Sequence, residues 1–168
     1  MAKVAFIMDN IFEDSEFQVP YDKMREAGHE AVIVGMEAGK ELTGKNGTKA
    51  SVDQGSSEVS ADEFDAIVVP GGYSPDKVRT DEKLVALTRA VHEANKPIAA
   101  ICHAGWMLVE ADIVRGRTVT SFKSIKTDLK NAGATWVDEE VVEDGNLITS
   151  RTPADLPAFV SALLNQLK

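Results

Sequence analysis

The stretch Pro97-Ile-Ala-Ala-Ile-Cys102-His-Ala-Gly-Trp-Met-Leu-Val-Glu110 decides the fold. Ile98 to Ile101 is a short, wholly apolar run entered through a proline, which reads as a strand buried on both faces. Cys102 follows it directly, and His103 to Glu110 reads as a helix. A strand that turns at once into a helix, with small Ala100 and Ala104 two residues either side of the cysteine, fits the sharp elbow that presents a nucleophile. A cysteine at a helix N-terminus is expected to have a lowered pKa, because free N–H groups and the macrodipole favour an anion there. In this setting Cys102 reads as a reactive thiol rather than as an inert core residue.

Further apolar runs lie on either side of the elbow. Val4–Met8, Ala31–Gly35 and Ala66–Val69 read as buried strands, and Arg117–Thr120 as a shorter one. Helical spacing marks Phe12–Ala27, Asp81–Ala94 and Ser124–Asn131. Asn10 with Glu13 fits an N-cap and capping box, Gly28 fits a C-terminal stop, and Pro20 predicts a kink or break. Thr152 as N-cap, with Pro153 and Asp155 behind it, opens a C-terminal helix. Asn46-Gly47 and Asp144-Gly145 predict hairpins within Leu42–Val52 and Val141–Thr149. Apolar strands alternating with helices make an α/β fold, with a mostly parallel sheet covered on both faces and small antiparallel hairpin additions. No repeat or linker interrupts residues 1–168, so one domain is expected.

Composition narrows the function. The chain has 168 residues, 18 Lys and Arg against 27 Asp and Glu, and a net charge of −9. Nucleic acid and anionic membrane surfaces are therefore not expected partners. No apolar run approaches a membrane span, and Met1–Met8 is too short and strand-like for a signal peptide. With a single cysteine, the cytoplasm is the expected location. His92-Glu93 begins a zincin-like motif, but Lys96 stands where the second histidine is required. Three histidines and one cysteine offer no metal-ligand spacing, so neither metal nor cofactor is expected.

Other candidates end neighbouring strands. Pro70-Gly71-Gly72 offers free backbone N–H groups suited to an oxyanion hole. Glu13 and Asp14 suit a helix start, whereas Glu16 shares a face with Phe12, Val19 and Pro20. That partly apolar setting raises a carboxyl pKa and makes Glu16 a candidate proton donor. His103 is a candidate acid–base partner, and Asp76 a candidate to orient it.

Phe12-Glu-Asp-Ser-Glu16, Val69-Pro-Gly-Gly72, Ala99-Ala-Ile-Cys-His103, Asn131-Ala-Gly133 and Ser150-Arg-Thr-Pro-Ala-Asp-Leu156 together resemble the PfpI-like intracellular protease family. That family belongs to the superfamily of Parkinson-associated deglycase proteins and class I glutamine amidotransferases. The resemblance runs from about Lys3 to the C-terminus and implies a flavodoxin-like α/β sandwich. It implies Cys102 as nucleophile, Glu16 as a protonated carboxyl hydrogen-bonded to it, and His103 as base. The N–H groups of Gly72 and His103 match the oxyanion hole, and Asp76 falls where some members carry a Glu that reaches a neighbouring subunit's histidine. Glu13, Gly71, Ala104 and Trp106 are the expected pocket residues; Ala104-Gly105 stands where members commonly carry Gly-Pro. The resemblance also implies a homodimer, with a hexamer as the larger assembly. The expected function is a cysteine-dependent stress-response enzyme acting on small reactive carbonyls, of glyoxalase or deglycase type. An intracellular cysteine peptidase acting on peptides and a non-catalytic sensor that oxidises at Cys102 are the alternatives.

Overall fold

The computed structural model describes residues 1–168. Eleven strands occur in chain order: β1 Lys3–Ile7, β2 Glu30–Gly35, β3 Glu41–Thr43, β4 Lys49–Ser51, β5 Gln54–Gly55, β6 Ala66–Val69, β7 Ile98–Ile101, β8 Thr118–Val119, β9 Thr135–Trp136, β10 Val142–Asp144 and β11 Leu147–Ser150. Six α-helices accompany them: α1 Asp14–Glu26, α2 Ser74–Val78, α3 Glu82–Glu93, α4 Gly105–Glu110, α5 Lys126–Asn131 and α6 Leu156–Gln166. Seven strands form one sheet in the order β10-β11-β7-β6-β1-β2-β5, parallel except for β10 against β11. Its central order β2-β1-β6-β7-β11 is flavodoxin-like, reversing between β1 and β6, and ligands bind such sheets beyond the carboxyl ends at that reversal.

Side-chain alternation builds two cores. Val4 and Phe6 of β1 and Val68 of β6 face Phe17 and Met24 of α1 and Phe159 and Leu163 of α6. Ala5, Ile7, Ile67 and Val69 face Leu84 and Val91 of α3, Met107 of α4 and Leu129 of α5. A one-residue register slip would exchange these sets, so the pattern pins the pairing. No helix is long and apolar enough to cross a membrane.

Several local expectations needed correction. Asn10 does not cap α1; its Oδ1 accepts a hydrogen bond from Thr43 N at 2.8 Å, and α1 begins after Glu13 with no side-chain cap. Pro20 does not break α1, which runs through it with Phe17, Pro20 and Met24 buried along one side. Burial of that apolar face outweighs one lost backbone bond. Gly28 does stop the helix: Gly28 N donates to Arg25 O and His29 N to Met24 O, a Schellman pair. Thr152 makes no cap; a 3-10 turn over Pro153–Asp155 precedes α6, and Asp155 Oδ2 accepts from Arg151 N at 2.9 Å. The elements that the sequence reading omits, β5, β9 and α2, have two to five residues, too few to show a periodicity.

Ile11, between β1 and α1, has φ +62°. For a β-branched side chain that is a strained conformation, held because Ile11 N donates to Thr43 O and Ile11 O accepts from Tyr73 N. Its side chain is 40% exposed, so little packing compensates the strain. Ile11→Asn, which tolerates this region, is expected to stabilise by about 1 kcal/mol and raise Tm by about 2–4 °C. An unchanged or lower Tm by calorimetry would show that the loop relaxes around isoleucine at no cost.

Candidate active site

Three segments meet beyond the carboxyl ends of β1, β6 and β7. The loop after β1 carries Glu13 and Glu16, Gly71 and Gly72 follow β6, and Cys102 follows β7. Phe12 bridges Gly72, and Glu13 N donates to Gly71 O at 3.0 Å, which draws the first two segments together.

Cys102 has φ +64°, the strained elbow that the small neighbours Ala100 and Ala104 accommodate. The residue opens a 3-10 turn over Cys102–Ala104, which leads into α4. Cys102 Sγ lies 3.2 Å from His103 Nδ1, and the backbone N–H groups of His103 and Gly72 favour negative charge on the sulfur. Gly72 has φ +81°, and any Cβ there would lie 2.5 Å from Ile11 O and 2.6 Å from Glu13 N. A Cβ at Gly71 would overlap Glu16 Oε1 and lie 2.7 Å from Cys102 Cβ. Only a double glycine lets the three segments approach this closely.

The expected lowered thiol pKa is not what this setting produces. Burial pushes Cys102 up to about 12, with the negative charge of Glu16 adding to the rise and the His103 and Gly72 N–H groups opposing it. The helix behind the elbow has only six residues, so its dipole is small beside the loss of water. The ring nitrogen nearest the protonated thiol is Nδ1 of His103, at 3.2 Å. Burial, and then the charge of Lys45, lower the His103 pKa and keep the ring unprotonated at neutral pH.

Glu16 is fully buried. Its Oε1 accepts from Gly71 N at 2.9 Å, while Oε2 has no hydrogen-bond partner. Burial pushes the carboxyl up to about 8, so it holds its proton at neutral pH, and the Glu16 charge that raises Cys102 is then largely absent. The implied hydrogen bond from Glu16 to the thiol is not made here, because the sulfur is turned to His103 Nδ1.

Other expected residues scatter. Glu13 is at the mouth, paired with Lys45 Nζ at 3.1 Å. Trp106 packs on the His103 ring with centroids 5.1 Å apart. Ala104 lines no open pocket; it is fully buried in the core against the α3 and α4 side. Asp76 is exposed on α2 and makes neither a hydrogen bond nor an ion pair with His103. His92 lies apart, its ring against Arg117 and Asn146.

Three residues were not foreseen. Lys45 sits at the tip of the β3–β4 hairpin, which Asp14 holds on the site by accepting from Asn46 N and Thr48 N, both at 2.9 Å. Asn46-Gly47 signalled the hairpin but not where its tip would lie. Phe122 stacks on His103 at 5.1 Å and 26°, and Ser124 Oγ lies 3.0 Å from His103 Nε2. Both come from the segment between β8 and α5, which has no signal of its own beyond a helix start. Lys45→Met, which removes a charge that lowers the His103 pKa, is expected to move the His103 titration midpoint upward by NMR; no movement would mean that this charge is fully screened.

The hollows of about 530 and 480 Å³ both include Arg25 and His29, at the opposite end of α1 from the site. A cavity of about 420 Å³ lined by Phe122, Trp136 and Arg151 lies nearer, sharing Phe122 with the His103 cage.

The same arrangement of elements occurs in known proteins. "Putative cysteine protease YraA" of Bacillus subtilis is 45% identical over 166 residues, covering 99% of this chain and 98% of that protein. "Protein/nucleic acid deglycase 2" of Escherichia coli is 48% identical over 159 residues, covering 94% and 92%. A crystal structure of a two-domain protein from Anabaena variabilis, with DJ-1/ThiJ/PfpI-like and ferritin-like domains, matches with TM-score 0.98 and 41% identity. That match covers 99% of this chain but 48% of the other, so this chain spans about half of that protein. Residues 2–166 match the DJ-1/PfpI family as a whole. With the flavodoxin-like strand order and the cysteine elbow beyond the carboxyl end of β7, these matches establish that the chain belongs to the DJ-1/PfpI family.

Proposed function

We propose that this protein converts small reactive carbonyls through Cys102, in a glyoxalase- or deglycase-type stress response. The observation that carries the reading is the thiol 3.2 Å from a neutral imidazole, beside a buried carboxyl that keeps its proton at neutral pH. The Cys102 thiol adds to the aldehyde carbon of a 2-oxoaldehyde such as methylglyoxal, and its proton passes to His103 Nδ1. The developing oxygen charge is met by the N–H groups of Gly72 and His103 and by the proton of Glu16. His103 or Glu16 then moves the carbon-bound proton of the hemithioacetal to the neighbouring carbon, giving an enzyme thioester. Water hydrolyses it to the hydroxy acid and restores the thiol, with no external oxidant or reductant.

A peptidase is the second reading, favoured by the Cys102–His103 contact and by the relative named as a cysteine protease. It calls for a carboxylate on His103 to stabilise an imidazolium, and Asp76 makes no such contact within the protomer. The test is lactate production from methylglyoxal by the purified full chain without glutathione. Lactate well above the protein-free control supports the carbonyl reading. No lactate, with cleavage of an unfolded protein substrate, replaces it with the peptidase.

A further inference from the structure

We infer that Ser124 is a positioning residue that sets the tautomer of His103 from within the same subunit. This rests on the carbonyl reading above for its catalytic consequence, but its geometry stands independently.

A neutral imidazole carries one N–H, so the ring exists as two tautomers. To take a proton from Cys102, His103 must present the Nδ1 lone pair to the sulfur, which lies 3.2 Å away. The proton must then sit on Nε2 and needs an acceptor. Ser124 Oγ, 3.0 Å from Nε2, is that acceptor, and it is the one hydrogen bond this hydroxyl makes. A protonated thiol asks for the same arrangement, since its S–H donates to Nδ1. The chain of donors then runs from Cys102 Sγ to His103 Nδ1, and from His103 Nε2 to Ser124 Oγ.

The surroundings hold the ring for this bond. Phe122 stacks on one side, and Trp106 packs at 5.1 Å and 56°. Phe122 N donates to Cys102 O at 3.1 Å, tying that wall to the elbow, and Trp106 Nε1 donates to Asp128 Oδ2 at 3.0 Å, tying down the other. Ile125, next to Ser124, is buried and anchors the 3-10 turn over Lys123–Ile125. Ser124 is itself exposed, so its hydroxyl contributes little to the fold. A hydroxyl orients the ring without the negative charge that a carboxylate would place there.

The test uses the full chain with ¹⁵N-labelled histidine, and His103→Gln to assign the His103 signals. At a pH above the imidazole midpoint, the wild type is expected to show a protonated Nε2 and an unprotonated Nδ1. Ser124→Ala is expected to shift the ring toward the other tautomer or a mixture, and Ser124→Thr to restore the wild-type pattern. Iodoacetamide alkylation of Cys102 at neutral pH, read by intact mass, is expected to slow in Ser124→Ala by about three- to tenfold, the worth of one net hydrogen bond. In the lactate assay the loss is expected in kcat with KM unchanged. An unchanged tautomer in Ser124→Ala overturns the assignment, as does equal impairment in the alanine and threonine variants with a lowered Tm. If the wild type makes no lactate while the tautomer still follows the hydroxyl, the carbonyl reading fails and the Ser124 assignment stands.

Discussion

Cys102→Ala is expected to lower lactate formation from methylglyoxal by at least about a thousandfold, the order of loss when a covalent nucleophile is removed and the surrounding donors remain. The substitution leaves the N–H groups of Gly72 and His103, the Glu16 carboxyl and the His103 ring in place. It removes only the atom that bonds to the aldehyde. Alanine retains the φ +64° strain at the elbow, and the lost sulfur is only half-buried, so Tm is expected to change by a few degrees at most. The rate loss is therefore chemical rather than a consequence of unfolding. Cys102→Ser should fall nearly as far, since a hydroxyl is a weaker acid than a thiol and His103 is a modest base. Full activity in Cys102→Ala would mean that the aldehyde reacts without the thiol, and the proposed route would be abandoned.

Glu16→Gln is expected to stabilise the protein at alkaline pH while disabling it as a catalyst. Burial holds the Glu16 pKa at about 8, above its ordinary 4.5. The native protein thus binds this proton more tightly than the unfolded chain does. The resulting stability is complete below about pH 4.5 and is lost as pH rises through 8. At roughly 1.4 kcal/mol per unit, the loss across this window is on the order of several kcal/mol. Glutamine can still accept from Gly71 N–H and does not ionise, so its Tm should stay flatter as pH rises. The two proteins should have similar Tm near pH 5 and diverge by pH 9, with the variant higher. Turnover should fall by about a hundredfold or more, since glutamine has no acid proton to give. Parallel Tm curves from pH 5 to 9 would show that Glu16 ionises normally and is no proton reservoir. Above pH 8 the variant also lacks the charge that raises Cys102, so its alkylation at pH 9 should outpace that of the wild type.

Much of the framework was legible because it depends on local rules. The apolar runs at Val4, Ala66 and Ile98 are strands because residues buried on both faces of a parallel sheet have no polar side to show. The elbow was legible because only small residues fit around a strained strand-to-helix turn. Glu16 was legible as a carboxyl on an apolar helix face, and the structure buries it completely. The break that Pro20 allows does not occur, because the one missing N–H is outweighed by the packing of Phe17 and Met24.

What the amino-acid sequence determined by itself was the strand–helix alternation, the elbow at Cys102 and the carboxyl and glycine-bearing loops at neighbouring strand ends. These follow from periodicity, residue size and backbone freedom within a few positions. Only the tertiary structure decided that the tip of the β3–β4 hairpin brings Lys45 to Glu13, that Phe122 and Ser124 close on His103, that Ala104 turns into the core, and that Asp76 makes no contact with His103 within the protomer. It also decided the ionisation of the site, turning the expected low thiol pKa into a high one. Charge and proton affinity depend on water excluded and on groups 20 to 90 residues away in the chain, and local spacing encodes neither.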